Sequence, residues 1–395
     1  MAAIPRLRTS TGPALLSYGF RPFFLAGALY SGAAILLWLP AFYGKLSVAT
    51  AFAPRDWHVH EMLYGYMPAV LTGFLLTAIP NWTGRLPIQG ARLLGLVLVW
   101  IAGRIAVTLS GIVGWPLAAA IDGTFLLLVV AAAAREIEAG RNWRNLPIVV
   151  LLAGLAAGNI MFHVEAHVVG VAEYATRLGM AIAVMLITLV GGRLVPSFTH
   201  NWLARENPGR LPVPFGRYDI VVLAASAVAL AAWVVAPATP AAGAILVVAA
   251  GLQFTRLARW AGDRTARDRL VLVLHLGYAF VPLGLLLLGM SAFDVLPTAA
   301  GVHALAGAIG TMTLAVMTRA SLGHTGHPLD ASPGTQAIYA AVILAAFARI
   351  CAAVHAEWSP LLLHVAAFAW AAAFVGFALT FGPMLVRERA SRKRT

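Results

Sequence analysis

An apolar segment from about Met62 to Ile79 constrains the fold of this chain more than any other stretch. Its length is close to the roughly 20 apolar residues that a helix needs to cross a bilayer. Trp82 and Arg85 follow it, as is typical of a membrane interface. Because 61% of the 395 residues are hydrophobic and only 11% are charged, the sequence indicates a polytopic membrane protein.

Similar apolar runs, separated by Pro, Gly, Asn and Arg clusters, predict an all-α fold with twelve transmembrane helices. The predicted helices lie near 22–42, 60–79, 91–111, 116–134, 147–169, 175–195, 219–235, 241–258, 268–289, 299–318, 335–353 and 360–384. We therefore predict one membrane domain over 22–384, an N-terminal arm over 1–21 and a basic tail over 385–395. Polar turns that end helices 2, 6 and 10 suggest three arcs of four helices.

Basic residues predict the orientation. With the N-terminus inside, the inner segments hold 22 arginines and lysines, whereas the outer loops hold 3, namely Lys45, Arg55 and Arg177. This asymmetry predicts that both termini are cytoplasmic. The net charge of +13 therefore reports topology and does not indicate nucleic-acid binding. The polar segment 1–12 lacks the apolar core and cleavage site of a signal peptide, so we expect the first helix to stay in the membrane.

The depths of the eleven histidines divide them into two groups. The outer group is His58, His60, His163, His167, His303, His355 and His364, and the inner group is His200, His275, His324 and His327. A single histidine at a helix end is more often a hydrogen-bonded residue than a ligand. Ionisable residues within a bilayer are nevertheless costly and functional by default, and imidazole is the commonest metal ligand. The outer group as a whole therefore predicts a metal site.

Helical spacing relates four of the outer histidines. His163 and His167 are four residues apart and share one side of a helix, whereas His58 and His60 point to nearly opposite sides. With His303 at a similar depth, a bis-imidazole haem or a copper site is feasible. We predict His60 and His303 as the haem pair, with His58 as the nearest substitute. No Cys-x-x-Cys-His is present and the chain has 1 cysteine, so the haem would be non-covalent.

Charged residues accompany these histidines. Arg104 and Asp122 lie about 10 and 9 Å below the outer ends of their helices and are predicted to form a buried ion pair. The alternative is that Arg104 or Arg349 binds a haem propionate, because a guanidinium fork fits a carboxylate. Glu61 and Glu165 stand beside outer histidines and could orient an imidazole or relay protons. They could equally be solvated charges at helix ends.

A second site is predicted in the inner group. His275 lies about 10 Å from the inner end of helix 9, and His324 lies just beyond helix 10 in a glycine-flanked turn. Because helices close in sequence are usually neighbours, these two histidines could face each other as members of a copper site or a polar network. The alternative is that His324 caps a helix and His275 hydrogen-bonds a neighbouring helix.

Five ordered stretches give the chain a resemblance to a known family. They are SYGFRPFF at 17–24, WHVHEM at 57–62, the segment 73–84, GRLVPSFT at 192–199 and MTRASLGHTG at 317–326. Together they resemble the NnrS family over nearly the whole chain. The resemblance implies a bacterial inner-membrane protein with twelve helices that carries haem and copper. It also implies a link to nitric oxide metabolism and to protection against nitrosative stress.

The resemblance also points to particular positions, without assigning each to a metal. Those that match family motifs are His58, His60, Glu61 and His324, while His303, His275 and His163 lie in similar stretches. The helix count also looks like that of the catalytic subunit of haem–copper oxidases and nitric oxide reductases. Helices 6 and 7 here lack the histidines that would hold the second metal, although Met180 and Met185 are soft donors.

Several classes of function remain open at this point, since architecture alone carries no activity. One is a haem–copper protein that binds or turns over nitric oxide. Others are an oxidoreductase that uses quinol or a cytochrome as electron donor, a transporter of a metal or metal–nitrosyl species, and an assembly factor. The polar residues lie near the two surfaces, whereas transporters more often break their helices near the midplane. Whether the chain is an enzyme stays open.

Overall fold

The fold was analysed in a computed structural model that describes residues 12–388. Within this range, 12 helices are long and apolar enough to cross a membrane. They are α1 (Phe20–Phe42), α2 (Pro54–Thr83), α3 (Gly90–Thr108), α4 (Trp115–Ala139), α5 (Trp143–Val168), α6 (Glu173–Glu206), α7 (Arg217–Val235), α8 (Pro240–Ala258), α9 (Arg269–Ser291), α10 (Thr298–Thr325), α11 (Pro333–Val354) and α12 (Ala356–Val386). The prediction of an all-α membrane protein with twelve such helices is confirmed.

Three helices are longer than predicted, and this moves histidines into them. α6 ends at Glu206 instead of near residue 195, so His200 lies inside it. α2 begins at Pro54 instead of near residue 60, because proline is well tolerated in a first helical turn. His58 and His60 therefore lie inside the helix and not at its mouth. α10 continues to Thr325 without a breaker, so the prediction of a turn beyond the helix at His324 is wrong, and His324 lies in the last helical turn.

The ends of the membrane region also differ slightly from the prediction. α1 begins at Phe20 and α12 ends at Val386, so the helices extend about two residues past the predicted limits of 22 and 384. The predicted N-terminal arm and basic tail lie largely at residues 1–11 and 389–395, outside the described residues.

Contacts between Cα atoms divide the chain into two compact units. Unit 1 consists of Met1–Thr176, Met317–Pro328 and Phe377–Thr395, and unit 2 consists of Arg177–Val316 and Leu329–Gly376. Unit 1 contains α1 to α5, and unit 2 contains α7, α8, α9 and α11. The remaining helices contribute to both units. The single domain over 22–384 and the three arcs of four helices stay predictions.

The middle of unit 1 is formed by α2, which packs against α1 and α4. Its most apolar window is 78% buried, more than that of any other described membrane-spanning helix. A polar side chain in the buried part of α2 therefore has to find its partners on neighbouring helices. Within α2, Glu61–Tyr66 forms a π-helical segment, which is rare and often marks a functional site.

One arginine at the edge of a predicted span has a structural explanation. Arg21 is buried near the start of α1, and its Nη1 donates hydrogen bonds to the carbonyl oxygens of Leu385 at 2.8 Å and Arg387 at 2.6 Å. These carbonyls lie at the end of α12, where the last groups of a helix lack partners within the helix and attract a cation. Arg21 therefore holds the end of α12 against α1 within unit 1.

Candidate metal centre

Five helices of unit 1 bring polar side chains to one point, which we call the unit 1 cluster. Its members are Tyr30 on α1, His60 and Glu61 on α2, Arg104 on α3, Asp122 on α4, and Asn159 and His163 on α5. All except Tyr30 are at most 4% exposed. Burial of so many ionisable groups is costly unless they satisfy one another or bind a cation.

Arg104 lies between two carboxylates in this cluster. Its Nη1 donates to Oε2 of Glu61 at 2.6 Å, and its Nη2 donates to Oδ1 of Asp122. The Tyr30 hydroxyl donates to the same oxygen of Glu61. The predicted ion pair between Arg104 and Asp122 is confirmed. Because one guanidinium faces two carboxylates, the cluster has one surplus negative charge when its imidazoles are neutral.

Three possible metal ligands lie close together: Nε2 of His60, Nε2 of His163 and Oδ2 of Asp122, the carboxylate oxygen that Arg104 does not contact. Oδ2 of Asp122 lies 3.2 Å from Nε2 of His163 and 3.3 Å from Nε2 of His60. In a tetrahedral site with metal–ligand bonds of about 2.0–2.1 Å, neighbouring ligand atoms are about 3.3–3.4 Å apart. Two imidazoles and one carboxylate suit divalent zinc, copper, iron or nickel. No other group of three such residues has its ligand atoms this close within residues 12–388.

The ring nitrogens of His60 both face oxygen atoms. Nδ1 lies 3.1 Å from Oε1 of Glu61, and Nε2 lies 2.9 Å from Oδ1 of Asn159. Three arrangements satisfy these contacts: a doubly protonated imidazole, a cation at Nε2, or an Asn159 amide turned so that its Nδ2 donates to Nε2. Nδ1 of His163 and Nδ2 of Asn159 are buried without a hydrogen-bond partner among the described residues. The donor set fits a bound metal ion because Nε2 of His163 and Nε2 of His60 lie 3.2 and 3.3 Å from Oδ2 of Asp122, as neighbouring ligands of a tetrahedral site do.

Aromatic side chains and glycines shape the space around these groups. The Phe52 ring lies 5.2 Å from the rings of both His60 and His163, measured between centroids, so an apolar side chain packs against both imidazoles. A Cβ added at Gly65 would lie 2.3 Å from Nη1 of Arg104. A glycine at this position in the π-helical segment is therefore what lets the guanidinium approach α2.

Two other predicted outer histidines lie away from the cluster. His58 stacks on Trp38 with ring centroids 4.3 Å apart, and His167 stacks on Trp115 at 4.4 Å. His58 is two residues from His60 and points elsewhere, as expected from helical spacing. Neither joins the group of converging ligand atoms.

The two glutamates that were predicted to assist have different surroundings. Glu61 contacts His60, as a residue that orients an imidazole would. Glu165 instead accepts hydrogen bonds from the backbone N–H groups of Glu173, Tyr174 and Ala175, at 3.0, 2.8 and 2.8 Å. It thus caps the start of α6, where the first N–H groups of a helix lack partners within the helix.

In unit 2, the structure pairs two residues that were predicted to bind haem. Nη2 of Arg349 donates to Nε2 of His303 at 2.8 Å. His275 is buried in the same unit, with its Nε2 2.8 Å from the Thr199 hydroxyl. His324 belongs to unit 1 and lies 5.4 Å from the Phe20 ring, between centroids. The haem pair of His60 with His303, and the inner site of His275 with His324, each join residues of different units and stay predictions.

Three members of the cluster were not predicted as part of a metal site. Asp122 was considered only as the partner of Arg104, although a carboxylate within an apolar span is a functional candidate by itself. Asn159 is one helical turn before His163, and this spacing could have revealed it. Tyr30 carries no signal in the sequence, because a tyrosine within an apolar run is ordinary.

Comparison with known proteins assigns nearly the whole chain to one family. The family model described as NnrS protein matches residues 14–389. No curated protein matches the chain. The family match covers nearly the full length, including every helix that contributes to the unit 1 cluster. The chain therefore belongs to the NnrS family.

Proposed function

We propose that this protein binds or turns over nitric oxide at a metal centre in the bacterial inner membrane, and so takes part in nitric oxide metabolism and protection against nitrosative stress. The observation that carries the proposal is the convergence of His60, Asp122 and His163 within a membrane protein of the NnrS family. Copper is the metal that we assign to these three residues.

The chemistry of the three residues supports a small ligand at the metal. Three protein ligands leave a coordination position open, and a bound copper ion can bind a small molecule such as nitric oxide there. With neutral imidazoles the cluster has one surplus negative charge, which favours a cation, and burial strengthens this attraction because the local dielectric is low. Nitric oxide is small and uncharged, so it can reach a buried site through apolar surroundings that exclude ions.

Other residues of the cluster hold the ligands in place. Glu61 contacts Nδ1 of His60 at 3.1 Å, and Arg104 is hydrogen-bonded to both Glu61 and Asp122. Removal of such supporting contacts typically lowers metal affinity by about 10–100-fold. We therefore assign Glu61 and Arg104 to positioning, and the alternative role of Arg104 at a haem propionate is the less favoured one.

Haem is the second cofactor of the proposal. His303 offers an imidazole and Arg349 a guanidinium that suits a propionate, and the two side chains already contact each other. His60 belongs to the unit 1 cluster, where its Nε2 and that of His163 both lie within 3.3 Å of Oδ2 of Asp122. We therefore favour His303 for haem and His60 for copper.

Metal analysis and optical spectra of the purified protein, with and without nitric oxide, test the proposal. We expect His163→Ala to lose copper and keep its Soret band, whereas His303→Ala should lose haem and keep copper. His167→Ala is the matched control, because it lies one turn along the same helix and stacks on Trp115. Parent copper content in both His60→Ala and His163→Ala would refute the site, and a spectrum unchanged by nitric oxide would refute the proposed ligand.

Orientation and localisation are part of the same proposal. The distribution of basic residues supports a protein of the inner membrane with both termini in the cytoplasm. A reporter fused after residue 395 should be active in the cytoplasm and silent in the periplasm. The reverse result would overturn the orientation without affecting the metal site.

A further inference from the structure

Unit 2 exposes apolar side chains on a connection between two membrane helices. The connection from α6 to α7 covers residues 207–216 and contains three prolines, so it forms no helix. Leu211, Val213 and Phe215 are 37%, 44% and 48% exposed. Alternate residues of an extended chain point to the same side, and we call these three side chains the apolar ridge.

Hydrogen bonds hold the apolar ridge in a defined position. The backbone N–H of Val213 donates to the carbonyl oxygen of Arg259 at 3.0 Å. Nη2 of Arg264 donates to the carbonyl oxygens of Asn207 and Pro208, at 3.0 Å each. The ridge is therefore fastened to the connection between α8 and α9, and its exposure does not result from a loose loop.

Arginines are frequent in the sequence of both connections. Segments 205–217 and 259–269 together hold seven arginines and three acidic residues, a surplus of four positive charges. Two of the acids are already engaged. Asp263 pairs with Arg210, whose hydrogen bonds hold the pKa of that carboxyl below its usual range. Asp268 caps α9 by accepting from the N–H groups of Leu270 and Val271.

Three of these arginines are exposed and free to bind a ligand. Arg217, Arg267 and Arg269 make no hydrogen bond or ion pair with any residue in the described range 12–388. All three lie at or next to the ends of membrane-spanning helices, where phospholipid headgroups are found. A guanidinium binds phosphate oxygens in pairs, and clusters of basic residues beside a membrane helix attract anionic lipids.

We propose that the apolar ridge and Arg217, Arg267 and Arg269 form a binding site for anionic phospholipid headgroups. The ridge enters the boundary between headgroups and acyl chains, and the arginines pair with the headgroup phosphates. Apolar side chains beside basic ones are the combination that membrane-surface anchors use. This site is independent of the metal centre, since all its residues belong to unit 2.

Native mass spectrometry of the detergent-purified full chain tests this site. The protein is mixed with equal amounts of phosphatidylglycerol and phosphatidylcholine, and the retained lipids are counted. We expect the parent to prefer phosphatidylglycerol. The triple variant Arg217→Gln, Arg267→Gln, Arg269→Gln should lower that preference by about tenfold or more, because each basic residue contributes a separate electrostatic attraction.

The matched control removes the same number of exposed arginines from unit 1, at Arg92, Arg141 and Arg144. Because these arginines also lie at or next to helix ends, it should lower the preference, but by a clearly smaller factor than the first triple variant. An equal loss in both triple variants, or no loss in the first, would overturn the proposal. If the first triple variant does not fold, Arg267→Gln alone replaces it, with the same two outcomes at a smaller effect. Val213→Ser with Phe215→Ser should lower retention of phosphatidylglycerol as well, and unchanged retention would remove the ridge from the site.

Discussion

The two units of this protein bury similar arginine clusters that differ in one respect. In unit 1, Arg104 contacts Gly65 within a π-helical segment and pairs with Asp122. In unit 2, Arg256 is fully buried, contacts Gly192 directly after the π-helical segment Ile187–Gly191, and donates through Nε to Asp219 at 2.9 Å. We call the latter group, with its neighbouring polar side chains, the unit 2 cluster.

The neighbours of each arginine make the difference. The unit 2 cluster is completed by neutral groups, because the Tyr278 hydroxyl donates to Gln253 at 2.7 Å and Gln253 donates to Ser226 at 2.8 Å. One guanidinium then balances one carboxylate. The unit 1 cluster instead adds Glu61 and two histidines, and so has two carboxylates for one guanidinium and converging ligand atoms. A buried arginine–aspartate pair can thus fasten helices together, and only added donors turn it into a candidate metal centre.

The largest effect is expected from removal of each buried arginine. Arg104→Met and Arg256→Met should each lower the free energy of unfolding by about 3–5 kcal/mol, because a buried carboxylate loses its counter-charge. Arg104→Met should lie at the upper end, since it leaves two carboxylates, Glu61 and Asp122, where Arg256→Met leaves one. Unfolding in detergent micelles measures both.

Arg135→Met serves as the control for these two variants. The Arg135 side chain is 65% exposed, and its partner Glu136 keeps Arg85 as a second partner, so its removal should cost no more than about 1 kcal/mol. A greater loss in Arg256→Met than in Arg104→Met would contradict the charge difference between the two clusters.

The next largest loss of stability is expected when the metal ion is removed. Stripping copper with a chelator should lower the stability of the parent, by up to about 3 kcal/mol at metal concentrations 100-fold above the dissociation constant. Asp219→Asn changes only the unit 2 cluster, so it should keep this metal-dependent difference in melting temperature. Asp122→Asn should abolish it. A metal response that persists in Asp122→Asn would place the ion elsewhere.

Smaller losses of stability are expected when the two glycines that contact the buried arginines are replaced by alanine. A Cβ at Gly65 or Gly192 would lie 2.3 Å from the guanidinium of Arg104 or Arg256. Gly65→Ala and Gly192→Ala should therefore each cost about 1–3 kcal/mol of overpacking, measured by unfolding. Gly65→Ala should also lower copper content, because its Cβ would lie 2.9 Å from Oε2 of Glu61.

Two helical glycines with open space provide the controls. A Cβ at Gly95 on α3 or at Gly251 on α8 meets nothing within 4 Å. Alanine there should stabilise the protein by up to about 1 kcal/mol through helix propensity. Destabilisation at all four positions would mean that crowding around the arginines is not the cause.

The smallest effect on the free energy of unfolding is expected from an exposed ion pair outside both clusters. Asp263 lies outside the membrane helices, and its hydrogen bonds from Arg210 lower the pKa of its carboxyl. This pair therefore stabilises the fold above the pKa of the unfolded carboxyl, near about 4, and the contribution is lost as pH falls through the lower folded value. Asp263→Asn should cost less than about 1 kcal/mol at neutral pH and should remove this acid-side dependence.

Length and polarity of the apolar runs were enough to predict twelve helices, because a bilayer demands about 20 apolar residues per helix whatever their neighbours. The ion pair between Arg104 and Asp122 was predictable for a similar reason, since two charges at one depth in apolar spans need each other. Helical spacing also predicted that His58 and His60 would diverge. These features depend on the local sequence and on the membrane alone.

Only the tertiary structure decided which histidines converge. His163 and His167 share one side of α5, yet only His163 reaches Asp122, because the contacts of α5 with α4 fix the depth at which they meet. The presence of Tyr30 and Asn159 in the cluster likewise depends on packing between helices distant in sequence. The sequence of each helix shows that it carries a possible ligand. The distances of 3.2 and 3.3 Å from Oδ2 of Asp122 to Nε2 of His163 and His60 result from how the helices pack.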